Sequence, residues 1–555
     1  MKIVKYTITL SLLSSVALLG ASPSINSGNI QKQIQAPKDI PTAKKPTVEV
    51  QGLAESNVIK EFDDNKSAFV KGFSFSGNAQ ISSDELQDII KDYANKELAF
   101  KQVKEALALI NQHYRSKGYF VARAYLAQQD LTKNDNILVI SILEGHYGEF
   151  RLKNSSLVQD KTLQGVLDSV KDRDIISAST IQRATNLVND RAGAVVTKAT
   201  ISAGEKTGTS DFDIEVEETK RVDGYIVADN YGSRYTGYNR LQGLININSP
   251  FDIGDKLSIS GLVSNGADLK NARIAYELPL TADGLTADVA YTRTNYNLVK
   301  EYRDLNIKGD QSVYEVGLSY PIIRTTNENL YLKGKYYHKD MNDYMDGDKF
   351  DDRKIDSFVA SVDYDKNYYI GDLPARIFAN LNLTTGHLGS KNDNPNNGNY
   401  NKVDAYVSNN IYFNDIVSFN STLMAQKVLG DKNLDGSEDL ALGGPNGVKL
   451  YPYSEQTGEN GYIASFELFT KLPNIASYAH RVGLFYDIGD VYQERNLDAT
   501  FKRTRLKDVG VGYYSSYDSF FLRAQMAWAA NSKPIESENA SHKNSKFLLQ
   551  AGWVF

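Results

Sequence analysis

One segment of the sequence spaces oxygen-bearing side chains as a calcium loop does. Asp431, Asn433 and Asp435 alternate ahead of a glycine, which is how an EF-hand loop begins. The twelfth position of such a loop holds a glutamate that binds the ion, whereas this chain has Leu442 there. Because the match is incomplete, the sequence does not favour a calcium site.

A second segment, residues 443–449, superficially resembles a phosphate-binding loop, but Val448 stands where that loop requires lysine. The chain has no cysteine and only six histidines, which excludes thiolate metal sites and cysteine nucleophiles and disfavours a multi-histidine metal site. It contains neither an HExxH nor a Gly-x-Ser-x-Gly pattern, and its carboxylates form no pair typical of catalysis. We therefore predict that the protein is not an enzyme and has no catalytic residue, cofactor or metal ion.

Length and charge narrow the class of protein. The 555 residues predict several domains or one large β structure, and a formal charge of −6 offers no basic excess for nucleic acid. Beyond the amino terminus no apolar run reaches the roughly 18 residues of a membrane helix, which excludes a bundle of such helices. A membrane β-barrel is compatible with this composition, because its strands need only alternating apolarity.

The amino-terminal residues are typical of an exported protein. Residues 1–21 combine Lys2 and Lys5 with an apolar stretch and small residues, which predicts a signal peptide; a short anchoring helix is the alternative. Residues 22–66 form a separate segment. Within it, residues 26–35 could form a polar helix and residues 36–50 predict an extended linker, with a disordered leader as the other interpretation.

The next part of the chain repeats one pattern of elements, in units 67–147 and 148–220. Each unit is predicted to contain a strand, two amphipathic helices and two further strands. The predicted helices span residues 83–94, 100–116, 161–170 and 179–191. Helices should cover one face of each sheet, and a sheet edge could accept an extended polypeptide by β-augmentation.

The first unit carries a family resemblance. The run from Tyr114 to Leu126, followed by Ile142-Leu-Glu-Gly145, resembles the polypeptide-transport-associated (POTRA) domain of two-partner secretion transporters. A generic α+β domain is the alternative. The resemblance implies two POTRA modules.

From residue 222 to residue 555 the chain alternates apolar and polar residues in many short runs. Of its 35 tyrosines, 29 lie in this part. Apolar outward faces with tyrosine near the strand ends are typical of an outer-membrane barrel, whose lipid-facing band is bordered by aromatic girdles. The length fits an antiparallel barrel of 16 strands, since 334 residues then give about 21 for each strand and its connection.

The last ten residues continue the alternation, with Phe547, Leu549, Ala551, Trp553 and Phe555 on one face. A terminal strand that ends in phenylalanine resembles the signal by which bacterial outer-membrane barrels are recognised for insertion. The resemblance assigns Trp553 and Phe555 to that signal. An ordinary closing strand of a soluble β protein is the alternative.

The most specific segment is residues 432–452. It resembles the long sixth extracellular loop of two-partner secretion (TpsB, or ShlB/FhaC/HecB-type) transporters, in which Val-Arg-Gly-Tyr or Val-Arg-Ala-Tyr-Pro follows a Gly-Gly-Pro turn. The matching positions are Gly443, Gly444, Pro445, Val448, Lys449, Leu450, Tyr451 and Pro452. The chain departs from the family pattern at two of them, where Lys449 replaces arginine and Leu450 replaces a small residue.

The resemblance implies that this loop folds back into the barrel and that its basic residue pairs with an acidic residue in a Phe-x-Asp-x-Gly motif. This chain has Phe485, Asp487 and Gly489. Because the alternate residues of that strand are apolar, the three motif residues should face the lumen. We predict an ion pair between Lys449 and Asp487, with a less directional geometry than arginine would give.

The resemblance covers residues 67–555. It implies α+β POTRA modules followed by an all-β transmembrane barrel, in the outer membrane of a Gram-negative bacterium with the modules in the periplasm. The implied function is secretion of one large, partly unfolded exoprotein, such as an adhesin, haemagglutinin or haemolysin, with residues 26–35 as a plug helix. The expected partners are that exoprotein, the lipid bilayer and the barrel-assembly machinery, and not nucleic acid. The alternatives are a barrel-assembly factor of the same superfamily and a POTRA-bearing porin or receptor.

Overall fold

The computed structural model describes residues 26–31, 33–34, 50–51, 67–391, 394–453, 455–475, 477–495, 501–537 and 544–555. The predicted signal peptide and most of the predicted linker lie outside the described residues. Ahead of the first module, the described part contains one short helix, α1 (Ser27–Gln31), and one short strand, β1 (Val50–Gln51). No helix among the described residues is both long enough and apolar enough to cross a membrane.

The first module consists of β2 (Ser67–Val70), β3 (Gly72–Ser76), α2 (Ser83–Ile90), β4 (Lys96–Ala99), α3 (Phe100–Ser116), β5 (Arg123–Tyr125) and β6 (Ile137–Leu143). A three-stranded sheet has the order β3-β6-β5, and β2 pairs with β4. The apolar positions of α3 recur every three to four residues and pack on this sheet.

Among the apolar positions of α3, Tyr114 is fully buried and donates a hydrogen bond to Glu144 (2.9 Å). Burial, together with this hydrogen bond, raises the pKa of Tyr114 far above its usual value.

The second module consists of β7 (His146–Ser155), α4 (Asp160–Asp168), α5 (Ala178–Asn189), β8 (Ala194–Ala203) and β9 (Thr209–Glu218). Its sheet has the order β1-β8-β9-β7, and the two helices cover one face of it over a continuous apolar core. The short strand β1 therefore joins this module, although the sequence predicted only a linker at residues 36–50. Two residues are too few for a periodic pattern, so nothing in the sequence could indicate this pairing.

Sixteen of the remaining eighteen described strands close into one antiparallel barrel, which confirms the predicted fold class. The strands are β10 (Val222–Asp229), β11 (Arg240–Asn248), β12 (Lys256–Ser264), β13 (Leu269–Pro279), β14 (Thr286–Asn297), β15 (Lys308–Arg324), β16 (Glu328–Met345), β17 (Asp348–Ile370), β18 (Leu373–Ser390), β19 (Gly398–Tyr412), β20 (Val417–Val428), β23 (Asn460–Lys471), β24 (Ala479–Tyr492), β25 (Thr504–Tyr517), β26 (Phe520–Ala529) and β27 (Ser545–Val554). The ring closes where β27 pairs with β10, with Trp553 opposite Ile226. A small ribbon of β21 (Leu440–Ala441) and β22 (Thr457–Gly458) lies within the connection between β20 and β23.

Side chains along the barrel strands alternate between an exposed apolar face and a buried face. On β24, for example, Leu484 is 62% exposed to the surroundings whereas Phe485 is 3% exposed. The longest strand, β17, has 23 residues, although about ten suffice to cross a membrane. The β16–β17 hairpin therefore extends well beyond the apolar band, at the end of the barrel away from the modules.

Arg183 in α5 and Arg191 in the turn after it hold the second module against the end of the barrel opposite the β16–β17 hairpin. Arg183 donates to the carbonyl oxygens of Pro321 and Asp283, both at 2.8 Å, and Arg191 donates to that of Thr281 at 2.8 Å. Burial lowers the pKa of Arg183, whose donors are satisfied by carbonyl groups of the barrel turns. These contacts fix the barrel mouth against α5 of the second module.

Candidate functional site

Loop six, defined here as residues 429–459 between β20 and β23, turns back into the barrel. Its Gly-Gly-Pro turn brings two chain segments too close for side chains, because a Cβ on Gly443 would lie 2.0 Å from the carbonyl oxygen of Pro452. Gly444 adopts a φ of +102°, which favours glycine. Two backbone hydrogen bonds fix the turn, from Gly444 to Tyr451 (2.8 Å) and from Val448 to Leu442 (2.9 Å). The turn presents the side chain after Val448 to the barrel wall.

That side chain is Lys449, and it meets Asp487 of β24. The ammonium nitrogen lies 2.9 Å from Oδ1 and 2.8 Å from Oδ2 of the carboxylate, and it also contacts the hydroxyl of Ser465. The Asp487 side chain is fully buried and that of Lys449 is 8% exposed. The ammonium lies 4.4 Å from the ring centroid of Phe485, which adds a cation–π contact. The structure thus brings Lys449 of the loop together with Phe485 and Asp487 of the barrel wall, the residues that the sequence analysis linked.

A second carboxylate lies beside this pair and was not predicted. Asp508 of β25 stands directly across from Asp487 in the strand register and is fully buried. Its Oδ2 accepts a hydrogen bond from the backbone of Leu450 (2.6 Å), so both residues that follow Val448 are held by an acidic side chain. The alternation along β25 could have placed Asp508 in the lumen, but only the register between β24 and β25 sets it against Asp487.

The other motif residues shape the seat of the loop. Tyr451 is fully buried, and its hydroxyl donates to the carbonyl of Lys533 (2.7 Å). A Cβ on Gly489 would come 2.7 Å from the side chain of Leu442, which explains why the third residue of the Phe-x-Asp-x-Gly motif needs to be small here. The loop and the wall are therefore fitted to each other by shape as well as by charge.

The opposite end of loop six carries acidic side chains, which face a basic part of the wall. Glu438 pairs with Lys339 of β16 and Lys402 of β19, and the latter distance is 2.9 Å. Asp435 pairs with Arg353 of β17 at 2.8 Å. Asp435, one of the calcium-like positions of the sequence, therefore faces a guanidinium group. Sequence reasoning missed these partners because they lie on strands distant in the chain.

The short helix α1 lies inside the barrel and contacts both loop six and the wall. Its first residue, Ser27, donates from its backbone to Asp343 (3.0 Å) and accepts from Arg353 (3.0 Å). A Cβ on Gly28 would lie 2.5 Å from that of Ser437, so helix and loop are in close contact. The side chain of Ile30 is buried in an apolar cluster of the lumen. Residues predicted as a polar helix thus occupy the lumen next to loop six.

Just after α1, Gln33 is bound to the rim of the barrel. Its backbone carbonyl accepts from Arg240, which also pairs with Asp229 (2.7 Å), and its side-chain oxygen accepts from Thr236 (3.1 Å). These side chains come from β10, β11 and the connection between them. Polar contacts therefore hold both ends of the described part of residues 26–34.

The terminal strand β27 presents its alternate apolar residues outward. Phe547 and Trp553 are 51% and 41% exposed, and the Trp553 ring lies 5.0 Å from that of Phe555. This face continues the apolar outer surface of the neighbouring strands.

A closed barrel with an apolar outer face, a polar lumen filled by a loop and a helix, and two small modules at one mouth defines a class of protein. It is a membrane-spanning barrel whose lumen is occupied by segments of its own chain, with two α+β modules at one mouth.

Comparisons with known proteins make the class specific. The family of haemolysin secretion/activation proteins ShlB/FhaC/HecB matches residues 208–512, and the ShlB-type POTRA domain matches residues 69–145. The heme/hemopexin transporter protein HuxB of Haemophilus influenzae (strain 86-028NP) is 27% identical over 485 residues, which cover 85% of this chain and 84% of HuxB. The outer membrane transporter CdiB of Escherichia coli O6:K15:H31 (strain 536 / UPEC) is 24% identical over 411 residues, covering 71% and 67%. The solved structure of CdiB from Escherichia coli has the same fold, with a TM-score of 0.74 at 19% identity over 92% of this chain and 94% of CdiB.

The chain belongs to the ShlB/FhaC/HecB family of haemolysin secretion/activation proteins, which confirms the resemblance seen in the sequence. It is an outer-membrane transporter of two-partner secretion, with its amino-terminal modules in the periplasm. Transporters of this family work with a cognate exoprotein.

Proposed function

We propose that loop six and α1 together close the lumen, and that both must move before an exoprotein can pass. The observation that carries this proposal is the buried ion pair between Lys449 and Asp487. It holds a loop across the lumen by a polar contact, which can be exchanged for water or for other polar groups. Gly443, Gly444, Pro445, Tyr451, Pro452, Phe485 and Gly489 form the seat in which that contact is made.

The passenger is one large, partly unfolded exoprotein of the adhesin, haemagglutinin or haemolysin kind. Among the relatives, the hemolysin transporter protein HpmB of Proteus mirabilis, 22% identical over 291 residues, supports the haemolysin member of this class. An extended segment of the passenger first pairs with a sheet edge of the POTRA modules, with main-chain hydrogen bonds supplying the affinity. No nucleotide-binding motif occurs in the sequence, so folding of the passenger outside the cell gives the transport its direction.

The chain is organised for this purpose as a signal peptide (1–21), a plug helix and linker (22–66), two POTRA modules (67–147 and 148–220) and the barrel (222–555). The exposed apolar face of the barrel strands contacts the lipid bilayer. Trp553 and Phe555 are the residues through which the barrel-assembly machinery recognises the chain. Exchange of either for a polar residue should lower the amount of barrel in the outer membrane without changing the folded periplasmic modules.

The test uses culture supernatants of the native bacterium. Deletion of this gene should remove one large protein from the supernatant, and the wild-type gene should restore it. Lys449→Ala and Asp487→Ala should each reduce the amount of that protein while the barrel still inserts, as measured in outer-membrane fractions. Normal secretion by both variants contradicts the role of the ion pair, and an unchanged supernatant after deletion contradicts the role of the protein as its transporter.

A further inference from the structure

The outer face of the barrel carries a run of basic side chains where β25 begins, at the end of the barrel away from the modules. Arg503, Arg505 and Lys507 alternate along the chain here. Because Asp508 faces the lumen at the seat of loop six, these three side chains face outward. The side chains of Arg503 and Arg505 are 64% and 54% exposed. Since the modules are in the periplasm, this end of the barrel lies at the outer leaflet of the membrane.

Two of these basic groups share a single carboxylate. Asp490 of β24 stands opposite Arg505 in the strand register, and its side chain is 3% exposed. Nε of Arg503 lies 2.8 Å from Oδ1 of Asp490, and Nη2 of Arg505 lies 2.8 Å from Oδ2. One carboxylate carries one negative charge, so two guanidinium groups beside it leave a positive surplus. Each guanidinium group also has more N–H donors than its contacts with Asp490 use.

A neighbouring strand adds to this surplus. Lys427 of β20 forms an ion pair with Glu494 and lies over the Tyr492 ring, 5.8 Å from its centroid. The guanidinium group of Arg503 lies 5.3 Å from the same centroid, so two cations approach one ring. We define the basic patch as Lys427, Asp490, Glu494, Arg503, Arg505 and Lys507. Its four basic side chains stand beside two carboxylates, which leaves two positive charges in excess.

The basic patch continues directly into the apolar face of the barrel. Val509, the next outward residue of β25 after Lys507, is 41% exposed, and Val511 is 44% exposed. Trp528 of β26 stands opposite Val509 in the register and is 41% exposed. Aromatic and basic side chains that border an apolar band are typical of the level of the lipid headgroups. A ligand that lies across this border meets apolar side chains at one end and guanidinium groups at the other.

Another part of the same rim is arranged differently. Arg293 of β14 pairs with Asp310 of β15 at 3.0 Å, and Lys354 of β17 lies 3.7 Å from Asp340 of β16. Each of these cations has a carboxylate of its own, so the two pairs carry no net charge. The surplus of the basic patch is therefore a local feature of the rim, and Arg293 provides a matched control.

We propose that the basic patch binds the phosphate group of a lipid in the outer leaflet, with the acyl chains of that lipid against Val509, Val511 and Trp528. Phosphate oxygens match the planar fork of a guanidinium group and form charge-assisted hydrogen bonds with it. A polypeptide in the lumen does not reach this face, and a free phosphate ion has no part that contacts the apolar side chains. The inference concerns the outside of the barrel and does not depend on the proposed movement of loop six.

The proposed site lies on the two strands that seat loop six. Asp490 of β24 is three residues from Asp487, Arg505 of β25 is three residues from Asp508, and both face the other side of the wall. A lipid on the basic patch is therefore held against the outer side of the wall whose lumen side binds Lys449.

The first experiment compares two lipids on the detergent-solubilised full-length transporter. Native mass spectrometry measures the binding of lipid A with its phosphate groups and of the same lipid after their removal. We expect the wild type to bind the phosphorylated lipid at least about tenfold more tightly than the dephosphorylated lipid. Arg503→Gln/Arg505→Gln should lose at least about tenfold in affinity for the phosphorylated lipid only, whereas Arg293→Gln should stay within about twofold of the wild type.

Equal affinities of the wild type for the two lipids overturn the proposal, as do equal affinities of the wild type and Arg503→Gln/Arg505→Gln for the phosphorylated lipid. An equal loss in Arg293→Gln also overturns it, because the effect is then not specific to the basic patch. Inorganic phosphate, added in an amount equimolar to the lipid, should leave the lipid bound. Release of the lipid by this addition assigns the site to a free ion and overturns it as a lipid site.

A variant with the opposite expected effect keeps the test decisive if the double variant fails to insert. Asp490→Asn retains both guanidinium groups and removes the carboxylate that competes with a phosphate group for them. We expect it to bind the phosphorylated lipid more tightly than the wild type, by about threefold or more, with no change for the dephosphorylated lipid. Unchanged or weaker binding of the phosphorylated lipid by Asp490→Asn overturns the proposal.

Discussion

The seat of loop six contains two acidic side chains and one basic side chain, which predicts an asymmetry between substitutions. In Lys449→Met, Asp487 and Asp508 face each other in the strand register without a cation between them. In Asp487→Asn, the carboxyl group of Asp508 remains opposite position 487 and is available as a partner for Lys449. Breaking a buried ion pair costs about 3–5 kcal/mol when the remaining charge has no partner, which is a factor of roughly 10² to 4 × 10³ in the ratio of seated to unseated loop. We expect Lys449→Met to approach this effect and Asp487→Asn to fall well below it.

Single-channel recordings in planar bilayers measure this ratio, because an unseated loop leaves the lumen open to ions. Open probability should rise most in Lys449→Met, less in Asp487→Asn, and not measurably in the control Lys427→Met. Lys427 forms an ion pair with Glu494, but its side chain is 49% exposed, and exposed pairs contribute only about 0–1 kcal/mol. An open probability of Lys449→Met that equals the wild type, or that lies below that of Asp487→Asn, refutes the reasoning from the two carboxylates.

Three further substitutions test other contacts. Gly28→Leu places a Cβ 2.5 Å from that of Ser437, so α1 should leave the lumen more often and the open probability should rise, with partial recovery on adding Ser437→Gly. Tyr114→Phe removes a buried hydrogen bond to Glu144 and should lower the stability of the first module by about 1–3 kcal/mol, seen as faster hydrogen exchange in α3 and β6. Arg183→Ala removes the hydrogen bonds to the barrel turns and should broaden the distribution of distances between a spin label on the second module and one on the barrel.

The sequence predicted helices better than strands, for a physical reason. The helix predicted at residues 100–116 spans the same residues in the structure, because its apolar positions recur over more than four turns. The barrel strands were predicted as a set of alternating runs and not by their bounds, and β19, for example, begins at Gly398 in a polar stretch of the sequence. The ends of the long hairpins lie beyond the apolar band and are polar on both faces, so that alternation gives no signal there.

Some contacts of the candidate site could likewise be predicted from the sequence and others could not. The likeness to a known loop motif, together with strand parity, predicted the contact between Lys449 and Asp487. Neither the motif nor the strand parity could predict that Arg353 pairs with Asp435 or that Glu438 pairs with Lys402. These partners are set by the curvature and register of a closed barrel. Asp508 lies between these cases. The alternation along β25 predicts that its side chain faces the lumen, but the sequence does not give the register between β24 and β25 that sets it opposite Asp487.

The hydrogen bonds of this transporter fall into two kinds with different consequences for transport. Those between barrel strands lie against lipid. No water is present there to replace a lost backbone hydrogen bond, so the ring of strands stays intact. Those that hold α1, loop six and β1 lie in the lumen or in the periplasm, where water or another polypeptide can replace each partner. The helix α1 has five residues and is too short to persist alone, so leaving the lumen returns it to an extended chain at little cost. An extended exoprotein offers the same backbone donors and acceptors as these three segments. If loop six and α1 close the lumen as proposed, closure and passage use the same polar surfaces, and the passenger takes over contacts that these segments make with the barrel.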